Sequence, residues 1–166
     1  RLPGRPPDGG LHLPGALTFL MTKHNLTAAQ LQNIINKESG VLGVSGVSND
    51  MREIEAAIAE GNERARLALD MYMLRITKYI GAYAAEMGGV DIIVFTGGVG
   101  ENQAGLRADV CSTLGFMGVE IDKEVNAGIR GVDAVISSEN SRVKVCVIPT
   151  DEELMIARDT MDIVSK

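Results

Sequence analysis

The chain has no tryptophan, and phenylalanine and tyrosine together make up 4% of its 166 residues. That scarcity excludes the aromatic platforms on which single-stranded nucleic acids stack. Basic residues are also in the minority: 16 lysines and arginines stand against 22 acids, a formal charge of −6. A nucleic-acid or anionic-membrane surface is therefore disfavoured as the main partner. The two cysteines, Cys111 and Cys146, lie far apart with no CxxC spacing. Two thiols in a reducing compartment are expected in preference to a disulfide. Neither His12 nor His24 has a second histidine or a carboxylate at ligand spacing, which argues against a zinc site. No apolar run reaches 18 residues and no secretory leader pattern appears, so a soluble, cytosolic protein is the expectation.

Apolar residues account for 45% of the chain, enough for one globular domain with a real core. Four of the five prolines fall within residues 1–14, a Pro/Gly-rich stretch that cannot hold a helix or an inner strand. Helical patterning starts at Gly15 and ends near His24, and Thr27 is placed to cap a second helix. Residues 38–50 read as a loop, with Ser48, Asn49 or Asp50 available to cap a helix over 51–61. Asn62 to Met87 is the longest helical pattern, apolar on several faces, and is expected to be widely buried or to meet another subunit. Beyond it come a strand over 90–95, a helix over 101–114, short strands over 119–121, 134–136 and 143–148, and a last helix capped by Thr150 with Glu153 completing the box. That order belongs to an α/β domain.

Two strand–helix junctions are the places where such a domain would bind a ligand. The first is Val90-Asp91-Ile92-Ile93-Val94-Phe95-Thr96-Gly97-Gly98-Val99-Gly100-Glu101-Asn102. Its apolar run lacks alternation, which suits a strand covered on both faces. Gly97, Gly98 and Gly100 permit positive φ and a close approach to bare backbone, and a helix beginning near Glu101 would favour an anion at the turn. A nucleotide seat and a plain tight connection both satisfy this pattern. A dinucleotide fingerprint is excluded by Gln103, and a Walker A loop by Leu106-Arg107 after Gly105. The second junction, Ile148-Pro149-Thr150-Asp151-Glu152-Glu153, gathers three acids. They suit either magnesium beside a phosphate or compensation of the helix dipole. Asp50 likewise suits a helix cap or a ligand contact.

Taken with Ser39-Gly40-Val41-Leu42-Gly43-Val44-Ser45-Gly46, these two junctions resemble the C-terminal half of the acetate kinases, from about Pro14 onward. The resemblance implies the C-terminal domain of the actin-like ATPase fold (sugar kinase/Hsp70/actin, ribonuclease H-like), a mixed sheet flanked by helices. Residues 15–166 would form the nucleotide-binding domain, and residues 1–14 an irregular tail unlike the family. The implied activity is reversible phosphoryl transfer from ATP to acetate, giving acetyl phosphate and ADP, with ATP/ADP and Mg²⁺ as cofactors. Asp50, Met51 and Arg52 match the segment lining the adenosine pocket, with Met51 in place of phenylalanine. Gly98, Val99, Gly100 and Asn102 match the nucleotide turn, and Glu152 matches the magnesium-associated glutamate. Asp151 stands where the family usually has asparagine. The long helix resembles the region through which family members form homodimers.

The family's first half, which carries most of the acetate pocket, has no counterpart here, so no catalytic residue is assigned. Arg5 is not equated with the arginine that assists transfer. The chain alone is expected to be inactive or very weak. Propionate or butyrate kinase activity is an alternative, as is a non-catalytic nucleotide-binding or dimerisation module.

Overall fold

A computed structural model describes residues 13–165. The readings of residues 1–12, Arg5 and His12 among them, lie outside the described residues. The chain forms two compact units that divide between Leu69 and Asp70. The first begins with α1 (Leu13–His24) and α2 (Ala28–Asn33). Thr27 caps α2 as expected: its hydroxyl accepts from Gln30 N while the Gln30 side chain accepts from Thr27 N. The stretch read as a loop is mostly helical instead. A π-helical turn over Ile34–Glu38 leads into α3 (Gly40–Ser45), which ends on Gly46 in the left-handed conformation. Its glycines hid a helix that tertiary bonds support: Arg64 Nε donates to Val44 O at 3.0 Å. Helix α4 (Met51–Ala59) buries Met51 and Ile54, and α5 (Glu63–Met87) follows almost at once.

The second unit holds the sheet. Strands β1 (Ile92–Phe95), β2 (Ala134–Val135) and β3 (Lys144–Val147) lie in the order β1-β3-β2. β1 runs parallel to β3 with Phe95 opposite Val147, and β2 is antiparallel to β3, so the sheet is mixed. Between β1 and β2 come α6 (Gly97–Asn102), α7 (Ala104–Ser112) and α8 (Lys123–Gly128). α9 (Glu152–Val164) follows β3. Residues 119–121, expected as a strand, contribute only an isolated bridge between Ile121 and Ser137.

The sheet's buried face carries Ile93, Phe95, Val145 and Val147, with Leu106, Val110 and Leu114 also buried. Burial of β1 on both faces was expected, but its exposure alternates. Ile92 is 55% and Val94 46% exposed, because only one face of this strand is covered. For the long helix α5, wide burial was one of the two expectations, and within this chain it is not met. Within this chain it buries alanines (Ala65, Ala68, Ala84) and leaves Met71, Leu74, Tyr83 and Met87 exposed. No helix among the described residues is long and apolar enough to cross a membrane.

Candidate functional site

The glycine-rich junction tightens faster than its sequence suggests. α6 starts at Gly97, directly after the strand, and not at Glu101. Gly97 makes this possible by taking φ +70°, a left-handed conformation that a side chain would strain. Gly98 has no such φ, and a Cβ added there would meet nothing within 4 Å. Gly100 is glycine for a third reason: its Cβ would sit 3.3 Å from the carbonyl carbon of Phe95, where α6 packs on the end of β1. Thr96 opens α6 without a side-chain cap, which leaves the first-turn amide groups to solvent or a ligand. Asn102 Nδ2 reaches back to Gly98 O at 2.9 Å and holds that side chain over the turn. With six residues, α6 offers individual amide groups more than a summed dipole.

The acidic junction is tied to this turn. Glu101 Oε1 accepts from Thr150 N at 2.9 Å and from Thr150 Oγ1 at 3.2 Å. Thr150 is thereby committed and does not cap α9, contrary to the sequence reading. Asp151 takes that role, with Oδ1 accepting from Leu154 N at 2.9 Å. Glu152 follows as the first helical residue and is exposed. Gly98, Val99, Gly100, Asn102 and Glu152 are thus carried by two segments that one carboxylate joins.

Two residues of this assembly escaped sequence reasoning. Glu101 also accepts through its main-chain oxygen, from Gly131 N at 3.2 Å and from Arg107 Nη1 at 2.9 Å. Arg107 is fully buried. A signal for it existed: Arg107 shares a helix face with Val110, Cys111 and Leu114, all buried, where a cation is unusual. Burial pushes its guanidinium below the ordinary arginine value. Nearby Gln103, between α6 and α7, is also buried, and its Oε1 has no partner among the described residues.

Asp50, Met51 and Arg52 belong to the first unit. Asp50 caps α4, with Oδ1 accepting from Arg52 N at 2.9 Å. Arg52 grips the same carboxylate through Nε at 3.1 Å and Nη2 at 2.6 Å. The Arg52 side chain, then its amide, hold the Asp50 carboxyl down at about 2. Met51 is 9% exposed, so its thioether serves the core and shows only an edge.

The model of the Acetokinase family matches residues 9–158. The chain belongs to the acetokinase family. It is 62% identical over 152 residues to an acetate kinase of Bacteroides thetaiotaomicron, covering 92% of this chain and 38% of that protein. The crystal structure of Porphyromonas gingivalis acetate kinase superimposes with a TM-score of 0.84 at 62% identity, over 91% of this chain and 38% of that one. A propionate kinase from Francisella tularensis gives 0.77 at 36% identity, over 87% and 36%. The fold of this acetokinase chain is that of the actin-like ATPases, as the motifs implied. The chain spans about 38% of the length of the curated relatives it matches.

Proposed function

We propose that this chain is the nucleotide-binding part of an acetate kinase, an enzyme that moves a phosphoryl group reversibly between ATP and acetate. The observation that carries the reading is the joining of the bare glycine turn to the acidic start of α9 through Glu101 and Thr150. In this assignment Gly98, Val99, Gly100 and Asn102 seat the nucleotide, and Asp50, Met51 and Arg52 line the adenosine pocket. Arg52 holds the Asp50 carboxylate in one orientation, ready to accept from a sugar hydroxyl or base.

Glu152 is assigned to Mg²⁺. Among the described residues no group of three or more His, Cys, Asp or Glu could hold a metal. One exposed carboxylate nevertheless fits magnesium, which takes one or two carboxylates and fills its remaining positions with water and phosphate oxygens. The ion, when bound, supplies charge neutralisation on the phosphates. In the transfer itself an acetate oxygen forms the bond to the γ-phosphorus as the bond to the β–γ bridging oxygen breaks. Such chemistry rests on positioning and charge, and needs no protein nucleophile. The acceptor pocket is not assigned to this chain, so the isolated polypeptide is expected to be inactive; a coupled assay showing ordinary turnover would overturn that.

The test is a calorimetric titration with ADP, with and without Mg²⁺, repeated on Asn102→Ala and Asp50→Ala. Binding weakened by both substitutions supports the assignment, and no binding by the folded chain overturns a preformed site. Propionate kinase is the second reading, favoured by the Francisella likeness. A homodimer through α5 belongs to the same proposal, supported by exposed Met71, Leu74, Tyr83 and Met87. Sedimentation showing only monomer up to high concentration would remove it.

A further inference from the structure

Arg107 spends every donor it has. Its guanidinium carries five N–H groups. Nε donates to Asn126 Oδ1 at 2.8 Å; Nη1 donates to Gly100 O and Glu101 O, both at 2.9 Å; Nη2 donates to Asn126 O at 3.1 Å and Ile129 O at 2.8 Å. All five acceptors are neutral oxygens, four of them main-chain carbonyls. They belong to the end of α6, to α8, and to the segment that follows α8. Asn126 adds a bond of its own, from Nδ2 to Ala104 O at 2.9 Å.

A buried cation without a carboxylate is an expensive way to pack α7, since an apolar side chain would fill the same space without desolvating a charge. What the cation does in addition is geometric and electrostatic. Gly100 and Glu101 in α6 and Asn126 in α8 lie in the last turns of their helices, where carbonyls lack intrahelical donors, and one guanidinium donates to all three. It thereby fixes the peptide planes at Gly100 and Glu101, the residues between the open amides of the turn and the Asn102 side chain. The Ile129–Gly131 segment is held to the same place, with Gly131 N bonded to Glu101 O.

We infer that Arg107 is a positioning residue for the nucleotide: it locks the glycine turn and the 126–131 segment into one rigid seat and sets a positive charge behind the turn. This rests on the reading of the turn as a nucleotide site. It extends that reading to a side chain buried away from the ligand, and to a segment, 129–131, that is otherwise unassigned.

The experiment uses the whole chain and three variants: Arg107→Lys, Asn126→Ala and, as a stability control from the buried face of α7, Val110→Ala. ADP affinity by calorimetry, the thermal midpoint, and amide hydrogen exchange resolved by residue are measured on each. Arg107→Lys keeps the charge but offers three donors. It is expected to weaken ADP at least tenfold and to speed exchange at 99–102 and 129–131 together. Val110→Ala is expected to lower the midpoint while leaving ADP affinity within twofold. Should Arg107→Lys not fold, Asn126→Ala, which deletes one acceptor side chain, carries the same expectation in milder form. Unchanged ADP affinity in the folded Arg107 or Asn126 variant overturns the inference alone, as does an equal loss in Val110→Ala. A wild-type chain with no ADP affinity overturns a preformed nucleotide site at the turn, and the inference with it.

Discussion

Glu101 and Thr150 are 49 positions apart, and one carboxylate oxygen of the first receives both the main-chain and the side-chain donor of the second. This pair of hydrogen bonds links the segment after β1 to the segment after β3. Its removal has a measurable cost. Hydrogen bonds to a charged acceptor are worth about 1.5–3 kcal/mol when well buried, and this one is partly exposed, so Glu101→Ala is expected to lose about 1 kcal/mol. Thr150→Val removes only the hydroxyl and should lose less. A double-mutant cycle in urea should return a coupling of about 0.5–1 kcal/mol; strictly additive losses would show that the two residues act independently.

The glycines of the turn predict opposite outcomes for the same substitution. Gly98→Ala places a methyl in open space on a helical residue, so folding should be unchanged or stabilised by up to about 1 kcal/mol. If ligand approaches bare backbone there, ADP binding falls despite the sounder fold. Gly100→Ala drives a methyl against the Phe95 backbone, and a loss of about 1–3 kcal/mol follows from overpacking. Denaturation midpoints for the pair check the first claim and calorimetry the second. A Gly98→Ala chain that binds ADP normally would count against ligand contact at that residue.

Asp50 makes the fold acid-sensitive at α4. Its carboxyl is held at about 2, below the ordinary 3.8, chiefly by the Arg52 side chain. A depressed carboxylate contributes stability that is complete above the unfolded value and is lost as pH falls through the folded one. The contribution should therefore be constant above about pH 5 and disappear between about pH 4 and 2. Asp50→Asn keeps a capping oxygen but no charge, so its thermal midpoint should change less with pH across that window. Parallel acid profiles for wild type and variant would refute the assignment.

Thiol chemistry separates the two cysteines. Cys111 is buried, and burial pushes its thiol up to about 11 from 9.0, which leaves almost no thiolate at pH 8. Cys146→Ser protein should show no fast reaction with a thiol reagent until it is denatured. Rapid native labelling of that variant would mean that α7 opens readily.

The parts of this molecule that local chemistry dictates were readable in its sequence. Thr27 as a helix cap, Asp50 among the candidate caps of α4, and the strand within 90–95 before its glycines each follow from residues within a few positions of one another. The long-range commitments were not. Thr150 looks like a helix cap until Glu101 claims it, and the cap then passes to Asp151. Nothing within α7 announces that Arg107 will reach the carbonyl of Ile129, 22 residues on. The helix at Gly40–Ser45 was hidden by the low helix propensity of its glycines, which contacts such as that from Arg64 override. For the site, motif resemblance supplied the residues proposed to face a ligand, while the contacts that hold them in place emerge only in the fold.

The order β1-β3-β2 leaves β1 at a margin of the sheet, paired on one side with β3 alone among the described strands. Its other side is a row of main-chain donors and acceptors, next to the exposed side chains of Ile92 and Val94. Such a margin accepts any extended chain of suitable pattern, including another copy of itself. Handling this polypeptide in isolation is therefore also a question of self-association through strand addition, and lysine placed at position 92 or 94 is the simplest means of blocking that route.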